Sequence, residues 1–476
     1  MTLFINYISY DVDENELYEL EKISLSKEEL KITPPGLNEL QNLKSLKLCS
    51  NQLSKIDPSV CELTNLRKLN YSDNEIAVIP SEIGQLCNLT EFYIYDNCIT
   101  KISPAFGDLH NLKNINLDNN MLKKMPSELG QLYNLTYITI GSNYLKSIPS
   151  EFGKLYNLKT VSLFGNDLST LPSELGQLSN LQDLNVNSNK LKTIPSELGL
   201  LYNLESLGLR SNCITTIPTT IGQLRNLREL EVGFNEITTL PTELGQLYNL
   251  QDLYLNGNQI VELPSELGQI YNLISLHLEL NELLIIPSEL GQLNNIEYLK
   301  IHNNQLTSIP SEIGQLYKLK ILNLYCNKLK TLPSELGQLY NLRKLYLNYN
   351  QLVTIPSEFG QLHNLSSIAL FNNQLTKIPS EFGKLYNLRN IELDSNQLTK
   401  IPSELGQLYN LESLLLCDNK LKTIPSELGQ LHNLRAINLE HNQLYEIPAE
   451  LYQINGLHII YKTSEIWYNY FCNMIF

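Results

Sequence analysis

No two of the eight cysteines are spaced as CxxC, and neither end carries a cluster of them. Cys49, Cys61, Cys87, Cys98, Cys213, Cys326, Cys417 and Cys472 are scattered. This excludes a disulfide framework and reads as free thiols of a reducing compartment. Positive charge is also scarce: 35 Lys plus Arg stand against 50 Asp plus Glu, a formal net charge of −15. The field of such a chain repels phosphates and anionic lipid, so neither nucleic acid nor a membrane surface is an expected partner. No apolar run approaches the roughly 18 residues that a membrane helix needs. The opening MTLFINYISYDVDENEL lacks a basic n-region, and Asn6, Tyr7 and Ser9 interrupt its apolar residues, so no secretory signal is expected. Sequons such as Asn88-Leu89-Thr90 then read as accidents of a recurring Asn-Leu pair. There is no GxSxG elbow and no phosphate-cradling glycine loop. An enzyme and a bound cofactor are therefore not expected. Nor is a metal: His277, Glu279 and His302 fall on adjacent expected strands, but exposed strand positions lack the fixed geometry that ligation requires.

What is present is one unit, repeated. Asparagine recurs every 23 residues between positions 51 and 442, and (442 − 51)/23 = 17 periods gives eighteen such positions. Around each lies the frame LxxLxLxxNxL, first seen clearly as Leu43, Leu46, Leu48, Asn51 and Leu53. An unbroken period of this length marks a solenoid, which grows by stacking units and overrides the several domains that 476 residues would otherwise suggest. A hydrophobic fraction of 42% suits thin units that each bury one set of apolar positions.

With the first Leu of the frame numbered 1, positions 4 and 6 alternate with variable residues, the period of a half-buried strand. Asn at 9 marks the turn that ends it. Its amide has two donors and an acceptor with which to tie its own bend to the neighbouring unit. A second block follows, IPSELGQLYN in its commonest form, as LPSELGQLYN over residues 332–341. Here positions 14, 18 and 21 point inward, and Pro at 15 opens a short helical or 3-10 turn. Gly at 19 is expected to end that turn with positive φ. Glu at 17 favours the positive end of the turn dipole, with the preceding Ser as a cap. Tyr recurs at position 22 in nine units between positions 133 and 409, where rings stacked on one another and on Pro or Leu stems are expected.

The combination LxxLxLxxNxL and IPxxLGxLxNL resembles the leucine-rich repeat family over residues 20 to 456, and most of all its 23-residue intracellular Ras-group-related subclass. The dense Asn, Ile and Tyr usage is also similar to repeat proteins of giant viruses of amoebae. The resemblance implies an α/β right-handed solenoid, a horseshoe with a concave parallel β-sheet and convex short helical or 3-10 segments. Residues 1–19 are assigned to an N-terminal cap, with Leu3, Ile5 and Ile8 in a strand and residues 14–20 in a helical turn. Residues 20–456 form the array, one degenerate unit (Leu20, Ile23, Leu25, Glu28, Leu30, Pro34) plus eighteen regular repeats. Residues 457–476 are a partial repeat beginning at Leu457 and Ile460, failing at Lys462 and Glu465, and a cap carrying Trp467, Tyr468, Tyr470 and Phe471.

Function is expected on the variable strand positions 3, 5, 7 and 8. The richest patch combines Tyr298, Lys300, His302, Tyr325, Lys344, Tyr346, Tyr349 and Phe371 over four consecutive units, amphipathic aromatics and cations of the kind that anchor protein partners. A smaller patch joins Tyr93 and Tyr95 with Glu91 and Asp96, and an acidic stretch joins Glu229, Glu231, Asp252 and Glu279. Lys101, Lys123, Lys124 and Lys146 form a basic edge. The reading is a non-enzymatic, monomeric, intracellular scaffold for protein–protein interaction in signalling. The subclass resemblance implies a small GTPase as its partner. The alternative is a structural or host-interference repeat protein without a single dedicated partner.

Overall fold

The computed structural model describes residues 18–461. The N-terminal strand expected from Leu3, Ile5 and Ile8, and the tail from Lys462 onward with Glu465 and Trp467, lie outside them. The chain divides into two compact units, residues 1–250 and 251–476. Each described unit holds ten three-residue strands, from Lys22–Ser24 to Glu229–Glu231 in the first and from Asp252–Tyr254 to His458–Ile460 in the second. Within each unit every strand pairs with the next in parallel and in register. Ser45 faces Lys68 in the first, for example, and Tyr298 faces Ile321 in the second.

The strands cover positions 3 to 5, and backbone bonds between repeats continue past them, as from the Leu48 N–H to the Asn70 carbonyl. The middle strand residue is buried, as Leu299 is between Tyr298 and Lys300. Positions 1, 4, 6, 11, 18 and 21 form the core, as at Leu43, Leu46, Leu48, Leu53, Val60 and Leu63, all fully buried. Position 14 closes the layer at the margin. At about 25 cal/mol for each Å² buried, this column of apolar side chains is the main favourable term of every repeat.

The return segments are single 3-10 turns over positions 16 to 20, such as Ser311–Gln315. Proline at 15 stands just before the turn, extended at φ −66°, ψ 146° for Pro310, and its carbonyl accepts from the Ile313 N–H. The expected serine cap is not made: Ser311 Oγ donates to its neighbour Glu312 at 3.1 Å instead. Serine is already the first residue of the turn, too late to reach back over its start. Side-chain caps occur where proline is displaced by one, at Asp57 and Ser103.

Glycine 19 also has a different reason from the expected one. It does not have positive φ. A Cβ on Gly176 would lie 2.3 Å from the carbonyl oxygen of Glu197 in the next repeat, and one on Gly314 would lie 2.3 Å from that of Glu335. The 3-10 turns stack so closely that a Cβ at these glycines would strike the next turn; the first regular repeat carries a buried Cys61 at the equivalent position. Positive φ falls instead at position 8, just before the asparagine, in all eighteen regular repeats, from Ser50 (56°) to His441 (53°).

The asparagines do what their amide chemistry suggested. Asn235 donates to the carbonyls of Val232 and Gly233 in its own turn and of Leu209 in the preceding repeat, and accepts from the Ile214 N–H of that repeat at 3.0 Å. The tie runs backward, to the preceding repeat; Glu28 holds the equivalent place after the first described strand, Lys22–Ser24. At the far end the register differs from expectation by one residue. Ile459, not Ile460, pairs with Ile437 at the central strand position, because that repeat-to-repeat step is one residue short.

Candidate partner-binding surface

The strand pairing places the expected aromatic patch in three rows. Tyr298, Ile321 and Lys344 form one, Lys300, Asn323 and Tyr346 another, and His302, Tyr325 and Phe371 follow the strands at position 7. Neighbouring strands lie about 4.8 Å apart, so side chains in adjacent repeats touch. The His302 and Tyr325 rings stack at 4.3 Å, with Asn303 Nδ2 donating to Tyr325 Oη. Tyr349 packs edge-on against Phe371 at 5.2 Å. Ile321 and Asn323, between the candidate residues, belong to the surface too and are invisible to a search for aromatics and cations.

Tyr349 is not a strand residue. It occupies position 8, at φ 54°, and is 52% exposed. Left-handed backbone suits Gly, Asn and Asp, and Ser, Asp, Asn and Gly do occupy most of the eighteen equivalent positions. Position 8 is therefore under a conformational demand and is not free to drift. A bulky aromatic there costs about 1–2 kcal/mol relative to such residues. Phe234 and Leu280 are comparable exceptions.

Beside the patch, His277 and Glu279 are more enclosed than exposed strand positions would be. Their side chains are 14% and 12% exposed, and the Tyr254 ring covers His277 at 4.6 Å. His277 Nδ1 lies 3.3 Å from Glu279 Oε1, while its Nε2 meets Ser275 Oγ at 2.9 Å. Burial raises the Glu279 carboxyl, but the His277 hydrogen bond and the two imidazoles outweigh it and leave it below the ordinary range. Burial pushes the His302 imidazole down. Among the described residues no group of His, Cys, Asp and Glu is arranged to hold a metal.

The other candidates separate. Tyr93 donates to Glu91 at 3.0 Å, and Lys68 lies over its ring while pairing with Glu91. That smaller patch is spent on internal contacts, and burial with the Glu91 carboxylate pushes the Tyr93 phenol up to about 12. In the acidic stretch, Glu229 and Glu231 belong to one unit and Asp252 and Glu279 to the other. Glu231 accepts from Asn187 at 2.6 Å. Lys101, Lys123, Lys124 and Lys146 are all exposed. The tyrosines of position 22 do not form a packed ladder. They are 43–56% exposed; Tyr386 and Tyr409 stack at 5.7 Å, and Arg225 lies over the Tyr248 ring at 5.3 Å. They stand on the outer rim of the turn, where neighbours do not close over them.

Two features escaped the sequence reading. Position 23 carries a second asparagine ladder, exemplified by Asn226, whose Nδ2 donates to the Tyr202 carbonyl of the preceding repeat at 2.8 Å. And the first three strands carry Lys22, Lys44, Lys47, Arg67 and Lys68 around one concavity. The signal was present as basic residues recurring at positions 2, 3 and 5 of the first units, masked by the acidic total.

Among the described residues no helix is long and apolar enough to cross a membrane. A leucine-rich repeat region description matches residues 119–239 and 287–401, and leucine-rich repeat descriptions match 64–122, 249–270 and 386–444. A BspA-type leucine-rich repeat region matches residues 6–87. No curated protein gives a match. Among solved structures, a leucine-rich repeat protein of Leptospira interrogans is 33% identical over 94% of this chain and 98% of its own, with a TM-score of 0.65. The ectodomain of the Arabidopsis thaliana receptor kinase GASSHO1/SCHENGEN3, in complex with Casparian strip integrity factor 2, is 32% identical over 96% of this chain and 60% of its own, with a TM-score of 0.69. The Arabidopsis receptor kinase HAESA, in complex with the peptide hormone IDA and a co-receptor, is 30% identical over 92% of this chain and 79% of its own, with a TM-score of 0.66. With the repeat frame, the parallel strands and the extent of these matches together, the chain belongs to the leucine-rich repeat family.

Proposed function

We propose that the chain is a non-enzymatic scaffold that binds a protein partner on its strand face, the side that the family resemblance makes concave, at Tyr298, Lys300, His302, Tyr325, Lys344, Tyr346, Tyr349 and Phe371. The observation that carries this reading is Tyr349: an exposed ring held on a left-handed backbone that disfavours it, propped by Phe371. Strain of this kind persists where function requires it. Rings that already rest on one another, as His302 on Tyr325 and Tyr349 on Phe371, lose little entropy on binding, which suits an anchor. That related ectodomains are found with protein or peptide ligands supports the same class of role. The finer version, a small GTPase partner for a monomeric, cytoplasmic signalling protein, rests on the likeness to the Ras-group-related subclass and on the unpaired cysteines. The giant-virus likeness in composition favours the second reading, a structural or host-interference protein.

The test is proximity labelling in the cell of origin, followed by titration of each candidate against the parent and the Tyr346→Ser/Tyr349→Ser double variant. One saturable partner, weakened at least about tenfold by the double variant, supports the scaffold; tenfold corresponds to about 1.4 kcal/mol. Equal capture by both proteins, or no saturable partner, overturns it. Tyr349→Asn is expected to raise stability by about 1 kcal/mol while weakening binding.

A further inference from the structure

The first three strands enclose an open concavity of about 550 Å³. Its charged lining is entirely cationic: Lys22, Lys44, Lys47, Arg67 and Lys68. Lys44 pairs with Glu21 and Lys68 with Glu91. Lys22, Lys47 and Arg67 form no ion pair among the described residues, and all three are exposed. In a chain of net charge −15, five cations line one hollow, three of them without an ion pair among the described residues, against the sign of the chain's total. The neighbouring Glu21 carboxyl registers the same field: the Lys44 hydrogen bond and charge, then Lys22 and Arg67, hold it below its ordinary range.

The register fixes their spacing. Lys22, Ser45 and Lys68 lie in one row, Ser24, Lys47 and Asn70 in the next, and Lys44 and Arg67 stand at the strand entrances. The hollow thus spans two strand spacings, about 10 Å. Cations spread over this width suit a ligand that offers several anionic groups in a line better than a single phosphate. An extended peptide places alternate side chains about 6.6 Å apart and can offer a carboxylate to several of them at once. The lysine and arginine stems give the walls hydrocarbon, against which the methylenes of aspartate and glutamate can rest. We propose that this concavity binds an extended acidic segment of a partner protein, with Lys22, Lys47 and Arg67 as the recognising charges.

The probe is a fluorescein-labelled oligoglutamate peptide, titrated against the full chain by fluorescence polarisation at about 0.05 M and 0.2 M salt, since screening of exposed charges grows over this range. The expected result is saturable, salt-sensitive binding that Lys22→Gln/Lys47→Gln/Arg67→Gln weakens at least about tenfold. The control Lys101→Gln/Lys123→Gln/Lys124→Gln removes the same charge elsewhere and should leave affinity within about twofold. Thermal melting by circular dichroism confirms that both variants are folded. No binding by the parent, or equal loss in both variants, overturns the proposal. So does tighter binding of oligothymidylate or phosphatidylserine vesicles that the first variant abolishes, which would assign the hollow to phosphate. A rise of about tenfold in peptide affinity on neutralising Asp11, Asp13, Glu14 and Glu16 would overturn the partner in favour of the chain's own acidic stretch.

Discussion

The array carries two asparagine ladders that recur at the same 23-residue period, and they are physically unequal. Asn235 of the turn is 7% exposed and joins four backbone groups in two repeats. Asn226 of the rim is exposed and makes one donation, to Tyr202. Water can replace the second bond but not the first four. Recurrence in sequence therefore does not measure energy; what decides is whether the groups left behind can be solvated. The aromatics differ less sharply: His302 and Tyr325 of the strand face stack at 4.3 Å, while the rim tyrosines remain 43–56% exposed even where Tyr386 and Tyr409 stack.

The contrast is most sharply tested where loss should be greatest. Asn235→Ala is expected to cost about 2–3 kcal/mol, measured by denaturant or thermal melting, because it orphans buried carbonyls and an N–H. A melting curve superimposable on the parent's would remove the distinction between the ladders. Gly176→Ala should follow at about 2 kcal/mol, since its Cβ would meet the Glu197 carbonyl at 2.3 Å and force adjacent 3-10 turns apart. An unchanged midpoint would mean that the stacking of turns is loose.

Asp394 probes the turn by pH. Burial first, then the nearby Glu392 and Asp418, push its carboxyl up to about 7, against the hydrogen bond from the Cys417 N–H. A raised folded-state value means that stability is fully present below the ordinary carboxylate range and is lost as pH rises through about 7. Asp394→Asn keeps the accepting oxygen and should stabilise the chain by about 2 kcal/mol at pH 8, with no gain near pH 3.5. A gain independent of pH would show that charge is not the cause. Smallest of all, Asn226→Ala should change stability by less than about 0.5 kcal/mol. A loss matching that of Asn235→Ala would make the rim ladder equal to the buried one.

Most of the fold is legible in the repeat. The alternation at positions 4 and 6 announces the strand, and Leu43, Leu46, Leu48 and Leu53 are buried as their spacing requires. The misreadings have two origins, contacts between repeats and the residue at which the backbone turns. Gly176 is needed by the Glu197 carbonyl of the following repeat, not by its own φ. Ser311 looks like a cap from its neighbours in sequence, but the turn begins one residue too early for it. Tyr349 reads as a strand residue because it lies within the variable block, whereas the backbone has already turned. Of the candidate surface, the sequence names the aromatics and cations; only the register adds Ile321 and Asn323 between them.

The sequence by itself determined the period and the inward positions, because these follow from which side chains avoid water at fixed intervals along one chain. Tertiary structure alone decided which polar groups are sealed from water, why glycine recurs at position 19, and which cations make no ion pair among the described residues. Those properties depend on distances of a few ångströms between residues in adjacent repeats, as between Gly176 and Glu197 or Asn235 and Ile214, and no local pattern encodes them.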